Sequence, residues 1–176
     1  MGADVNAKDN DGRTALIGAA MANSNLEVIA LLLKGGADIN AKGEHDMTAL
    51  MWAASNNPNP KVLELLLKGG ADINAKANYD GRTALMYAVV NNPNPEVVSF
   101  LLKNGADAQA KNNYGGIAIE AAGENDKLMG TVAFKQLQEA SKAADKRGLF
   151  GSIWWFVKNH WIISLIIIGA IIRFAK

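Results

Sequence analysis

GADVNAKDNDGRTALIGAA, residues 2–20, returns as GADINAKGEHDMTALMWAA at 36–54 and as GADINAKANYDGRTALMYAV at 70–89. A degraded copy, GADAQAKNNYGGIAIEAA, occupies 105–122. The copies begin at Gly2, Gly36, Gly70 and Gly105, in steps of 34, 34 and 35 residues. A further string, VIALLLKGG, VLELLLKGG and VVSFLLKNG, keeps the same register. Strings that stay in step over four copies establish an internal repeat. Such a repeat means stacked like units, each too small to bury its own apolar face alone.

Each unit carries the signals of two short helices. Thr14-Ala15-Leu16 and its equivalents open the first, whose small residues (Ala19, Ala20, Ala53, Ala54, Ala88) permit close packing on a neighbour. The second opens on start signals. Ser24 followed by Glu27 reads as a capping box, and Asn59-Pro60 and Asn94-Pro95 read as an N-cap with proline at the first helical position. Val62, Leu65 and Leu66 then share a face at helical spacing. Gly35, Gly69 and Asn104 are the types that accept a left-handed C-terminal cap, and the GAD strings turn the chain through a finger into the next unit. Asp38, Asp72 and Asp107 recur because that turn needs an aspartate to bond its own backbone.

With TALI or TALM in place of a TPLH tetrapeptide, the repeat resembles the ankyrin repeat over residues 1–141. The resemblance implies an all-α ankyrin-repeat solenoid of helix–turn–helix units joined by β-turn fingers, with units at about 2–35, 36–69, 70–104 and 105–141. It also implies that the fingers and the inner helix row carry partner contacts. On the fingers those positions are Asn10, Asp11, Arg13, Glu44, His45, Met47, Tyr79, Asp80, Arg82, Asn113 and Tyr114. On the inner helices they are Trp52 and Tyr87, where the first and last units have Gly18 and Ala121. Large aromatics at matching places are either anchors for a partner or lids on the core between repeats. The loops Asn56-Asn57-Pro58 and Asn91-Asn92-Pro93 read as rigid turns. The TALM variant and the plain repeats look bacterial.

The two ends of the stack differ. Glu120, Lys127, Lys135 and Gln136 put polar groups where earlier units are apolar, so the fourth unit reads as a cap. A closing helix is expected over 127–147, with Leu128, Val132, Leu137 and Ala140 inward. The first unit lacks such replacements at Leu16, Ile17, Val28, Leu31 and Leu32, and the chain starts in mid-unit. Upstream sequence, or a covering partner, is expected on that side.

Charge divides the chain. Through Ser141 there are 12 Lys and Arg against 16 Asp and Glu; from Lys142 onward there are six basic residues (Lys142, Lys146, Arg147, Lys158, Arg173, Lys176) against Asp145 alone. An acidic body with a basic, apolar tail suggests a module tethered near anionic lipid. After a basic linker, 142–152, residues 153–172 are long enough as a helix (about 30 Å at 1.5 Å per residue) to cross a bilayer. A single transmembrane helix over 153–173 is therefore expected. Trp154, Trp155 and Trp161 would form an interfacial belt, with Lys158 and Arg173 reaching the headgroups on either side. Pairing of Lys158 inside the membrane and a segment that lies in the interface or packs inside a soluble complex are the alternatives. Lys142, Lys146, Arg147 and Lys158 on the N-terminal side of the uncharged stretch, against Arg173 and Lys176 on the other, place the repeats in the cytoplasm.

Nothing in the sequence composes a catalytic or metal site. Its two histidines, His45 and His160, lack spaced partners, cysteine is absent, and the glycines fall at turns without a phosphate-binding loop. The scattered basic residues of the body make no nucleic-acid footprint. No cofactor and no small-molecule substrate is expected. The reading is a non-enzymatic, membrane-anchored interaction module, an accessory or scaffold subunit of a larger membrane complex whose partners are proteins and lipid. The alternative is a self-associating pore-like or toxin-like membrane protein with a regulatory repeat head.

Overall fold

The computed structural model describes residues 3–22 and 25–145. By its own contacts the chain divides into two units, the first of which is residues 1–141, and the helix that closes the stack ends just past that boundary at Asp145. Among the described residues the protein is all-helical, and an isolated bridge between Lys8 and Thr14 is its sole β contact. Three helix pairs follow one another: α1 (Ala15–Ala22) with α2 (Leu26–Lys34), α3 (Ala49–Asn56) with α4 (Pro60–Lys68), and α5 (Ala84–Asn91) with α6 (Pro95–Lys103). The fourth pair is a 3-10 helix, Ala118–Glu124, and α7 (Val132–Asp145).

The first helices pack in sequence order, α1 on α3, α3 on α5 and α5 on the 3-10 helix, while α2, α4 and α6 form a second row. Alanine allows the close approach in the first row: Ala19, Ala20, Ala53, Ala54 and Ala88 are all buried. Between the rows Leu16, Ile17, Ile29, Leu50, Leu63, Leu66, Leu85 and Leu101 are fully buried. Each such side chain contributes roughly 1.5–3 kcal/mol by leaving water. On α4 the buried stripe is Val62, Leu63 and Leu66, and Leu65 stays half-exposed rather than joining it.

The second helices start as their sequences require in two cases, where Asn59 and Asn94 accept from the backbone N–H of Lys61 and Glu96 and proline follows. In the first unit the cap is Asn25, which accepts from the N–H of Glu27 at 3.0 Å; Ser24 lies outside the described residues. The left-handed residue that ends each of these helices is also one place later than expected. Gly35, Gly69 and Asn104 have φ of −76°, −78° and −98°, whereas Gly36, Gly70 and Gly105 have φ of 87°, 95° and 93°. The doubled Gly-Gly and Asn-Gly pairs hid which member makes the turn.

Asparagine ladders bind unit to unit. Each GAD aspartate accepts from a backbone N–H two residues on, as in Asn40 N to Asp38 Oδ1 at 3.0 Å. The asparagine that follows reaches into the next unit: Asn40 Nδ2 donates to Gly70 O at 3.4 Å, and Asp72 N donates back to Asn40 Oδ1 at 3.1 Å. Asn6 and Asn74 repeat this pattern. A second ladder lies inside. Asn57 donates to Ala20 O, Asn92 to Ala54 O and Asn57 O, and Asn125 to Val89 O and Asn92 O. These three side chains are buried, so the loops read as rigid turns are also hydrogen-bonded clamps between units.

The ends depart from expectation in detail. Unit four lacks the threonine that opens α3 and α5, and Ile117 stands in its place, with Glu120 Oε2 accepting from the Ile117 N–H at 3.0 Å. The closing helix starts at Val132, not near Lys127; residues 126–130 form turns. Leu128 and Leu137 are buried and Ala140 packs on the core. Val132, expected inward, is 71% exposed, and Ala133 takes the inward place. Gln109 stands where Asn6, Asn40 and Asn74 stand earlier, and its Nε2 donates to Ser141 O of α7. In unit one Leu16 and Ile17 are fully buried rather than facing outward, whereas Leu31 is 60% exposed and Val28 and Leu32 are half-exposed.

The expected linker beyond Asp145 and the membrane-spanning helix at 153–173, with Trp154, Trp155, Lys158, Trp161 and Arg173, lie outside the described residues. Among the described residues no helix is long and apolar enough to cross a membrane.

Candidate functional site

Two arginine–aromatic pairs sit where the fingers meet the first helices. In the first, Arg13 Cζ lies 5.7 Å from the centre of the Trp52 ring, and its Nη2 donates to Glu44 Oε2 of the next finger at 2.6 Å. Asp11 adds a looser contact at 3.4 Å. The hydrogen bond from Arg13 holds the Glu44 carboxyl below the usual carboxylate range, and that same bond raises the Arg13 guanidinium. Arg13 thereby links the first finger to the second and covers the indole of α3.

In the second pair, Arg82 Cζ lies 6.0 Å from the Tyr87 ring and its Nε is 3.4 Å from Asp80 Oδ2. The Tyr87 hydroxyl lies 3.1 Å from both oxygens of Asp80 and donates to that carboxylate. Burial, and then the Asp80 charge beside it, pushes the phenol well above its ordinary value. Tyr87 is only 8% exposed. It serves the inter-repeat core and the third finger, and it has little area to offer a partner. Met47, at the place of Arg13 and Arg82 in its own unit, is 5% exposed and lies in the core. Trp52 is half-buried.

The tips of the fingers are different. Tyr79 is 76% exposed and Tyr114 78% exposed. The His45 ring stands 5.9 Å from the Tyr79 ring at a 50° tilt, and its Nε2 is 3.4 Å from Glu44 Oε1. Finger four is tied onto finger three next to Tyr114: Asn113 N donates to Asp80 O at 2.9 Å, and its side chain donates to the carbonyls of Asn78 and Tyr79. That approach is close enough that a Cβ on Gly81 would lie 2.3 Å from Asn113 Oδ1. His45, Tyr79 and Tyr114 therefore occupy three successive tips, while the first tip carries Asn10 and Asp11, also exposed.

Backbone geometry singles out the second finger. His45 has φ of 56° and Asp46 φ of 58°, the positive-φ positions among the described residues that are not glycine. In the other fingers Gly12, Gly81 and Gly115 supply the positive φ. Asp46 was not among the residues expected at the site. The signal that could have found it was an aspartate standing at the glycine position of its repeat.

The family model for ankyrin repeats (three copies) matches residues 1–77 and 45–112. The chain belongs to the ankyrin-repeat family. No curated protein matches the chain closely enough to count as a relative. Ankyrin repeats indicate a protein–protein interaction module, and the geometry sorts the residues expected to serve it here. His45, Tyr79 and Tyr114 are presented outward; Arg13, Glu44 and Arg82 are engaged with neighbouring side chains; Met47 and Tyr87 are internal. Among the described residues no group of three histidines or carboxylates is placed to hold a metal ion.

Proposed function

We propose that this chain is a non-enzymatic, membrane-anchored ankyrin module that holds a protein partner at a membrane, as an accessory or scaffold subunit of a larger complex. The observation that carries the interaction half is the pair of tyrosines, each more than three-quarters exposed, on adjacent fingers. Such rings are costly to leave in water and are frequent anchors at interfaces because they bury much area with few torsions to fix. The membrane half rests on the sequence: a mostly apolar stretch at 153–172, interrupted by Lys158, Asn159 and His160, behind an acidic body and with basic residues around its uncharged part, 161–172. The excess of basic residues before that uncharged part favours a cytoplasmic position for the repeats.

The test is purification of the full-length chain in mild detergent beside a version ending at Gly148, with co-purifying chains identified by mass spectrometry. A stoichiometric membrane protein that is retained by the full-length chain, lost on truncation and weakened by Tyr79→Ala supports the reading. Recovery of the protein alone, as several copies per particle, would replace it with a self-associating membrane protein. Truncated and full-length chains partitioning alike into the soluble fraction would remove the anchor from the reading.

A further inference from the structure

We infer that the outer face of unit one, built by Ala15, Val28, Leu31 and Leu32, is an open stacking interface that takes an ankyrin-type helix pair of a partner protein. This face is separate from the finger surface on which the interaction reading above rests.

The repeat supplies its own comparison. Ala49 and Ala84 stand at the place of Ala15, Val62 and Val97 at that of Val28, and Leu66 and Leu101 at that of Leu32; all six are buried. In unit one Ala15 is exposed, and Val28 and Leu32 are half-exposed. Leu31, 60% exposed, matches Leu65 of α4, which lines a groove together with Leu26 and Ala30 of α2. That side of α4 faces the helix before it, and the same side of α2 faces outward with leucine still in place. The residue types are alike, and what differs is the neighbour: α3 packs on α1 and α4 on α2, while α5 and α6 have α3 and α4 before them. A stack that ends in solvent carries polar groups on its outer face. This end carries valine and leucine.

The backbone is open in the same register. Asp38 N, Asp72 N and Asp107 N each donate to the side-chain oxygen of an asparagine in the unit before, Asn6, Asn40 and Asn74 respectively. Asp4, exposed at the same place in unit one, has no asparagine before it among the described residues. Gly69 adds a packing requirement. A Cβ there would lie 3.2 Å from Leu33 Cδ1 of the preceding unit, whereas the nearest atoms around Gly35 all belong to unit one.

These places define the occupant. It brings a leucine to Gly35, a finger asparagine to the Asp4 N–H and a helix of small residues to Ala15. A second copy of this chain does not meet them. Its unit four turns Lys135 and Glu139 outward on α7, and at the ladder place it has Gln109, which already donates to Ser141 O. Two first units set face to face would bring two receiving halves together. A lipid surface would cover Leu31 and leave the Asp4 N–H without an acceptor.

The experiment uses the full-length protein in nonionic detergent and, as probe, a labelled chain of three tandem copies of residues 36–69 behind a polar N-terminal cap. The cap keeps the probe from stacking on itself and leaves its last unit bare. Fluorescence anisotropy is expected to show saturable binding, weakened roughly tenfold or more by Leu31→Lys. Replacing the ladder asparagine of the probe's last unit by alanine should weaken it by roughly threefold to tenfold. Tyr79→Ala should leave it unchanged. Leu31 is exposed, so the helical circular dichroism of the lysine variant should match that of the parent. A second measurement places one copy of residues 36–69 directly before Gly2 in the full-length chain, which keeps the 34-residue step. Hydrogen exchange of the α2 amides should then slow by roughly tenfold or more. Exchange that does not slow overturns the inference, as does probe binding that Leu31→Lys leaves untouched. A protein that is dimeric without the probe and becomes monomeric with Leu31→Lys would assign the face to a second copy and overturn it too. Co-purification of a membrane partner that depends on Tyr79, with no binding of the probe, would sink this inference and leave the finger reading intact.

Discussion

Asp46 holds a φ of 58° at a position where the other fingers use glycine. A left-handed conformation costs an L-residue about 1–2 kcal/mol, less for aspartate, and glycine gives back part of the gain through its larger unfolded-state entropy. Asp46→Gly should therefore stabilise the protein by about 0.5–1 kcal/mol and raise the melting temperature by about 2–3 °C, read by circular dichroism. An unchanged or lower melting temperature would mean the finger gains from the aspartate what its backbone loses. Arg13 and Glu44 supply a second test at this scale. The carboxyl pKa is lower in the folded protein than in the unfolded chain. The contribution of the pair is thus complete above the ordinary carboxylate range and fades as pH falls below about 4.3. Glu44→Gln should flatten the acid limb of a stability–pH curve and lower its neutral plateau by the same small amount, because the pair is only partly shielded from solvent. Sequence located Arg13, Glu44, His45 and Tyr79 on the fingers but did not separate outward from inward residues. Met47 shows why: its burial follows from the neighbouring units, which no local pattern records.

At the scale of the element, the loops entering α4 and α6 contain two kinds of asparagine. Asn94 caps α6 through a local bond to the Glu96 N–H, and such a bond is legible because cap and helix are adjacent in sequence. Asn92 works at long range. Its Nδ2 donates to Ala54 O at 2.7 Å and Asn57 O at 3.0 Å, while its Oδ1 accepts from Asn94 N at 2.8 Å. Removing that buried side chain strands two carbonyls and an N–H, so Asn92→Ala should cost about 2–4 kcal/mol. Asn94→Ala should cost about 1 kcal/mol. Urea denaturation ranks the two, and an equal cost would show that solvent reaches the inner ladder. The clamp was hidden because its acceptors lie 35 and 38 residues upstream. The recurrence of buried asparagine at 57, 92 and 125 is the trace it leaves in the repeat. The C-terminal caps teach a smaller lesson: Gly105, with φ of 93° and open space around a Cβ, is the residue whose replacement by alanine carries the left-handed cost, and Asn104 is not.

For the whole stack, stability is the sum of what each unit contributes and what each interface adds. The period alone made the helix pairs, their order and their alternation with fingers legible, because such units bury their apolar faces only against each other. It could not grade the interfaces, whose quality depends on helix type and side-chain fit. Among the described residues α3 is packed on both sides, by α1 and α5, and α5 by α3 and the 3-10 helix of unit four. That last helix is the weak member. Its residues 118–124 form a 3-10 helix, whose hydrogen-bond geometry is poorer than that of an α-helix, and it lacks the side-chain cap that Thr48 gives α3 by accepting from the Met51 N–H. It is held instead by Glu120 on the Ile117 N–H and by Asn125 reaching back to Val89 O. Local opening should therefore start there and reach α3 and α5 last. Native-state hydrogen exchange of the full-length chain should find the slowest amides of α3 and α5 protected at least tenfold more than those of residues 118–124, a difference of about 1.4 kcal/mol. Equal protection would mean that the asparagine ladders bind all four units into one cooperative block, and that the fourth is a true part of the stack and not its loosening edge.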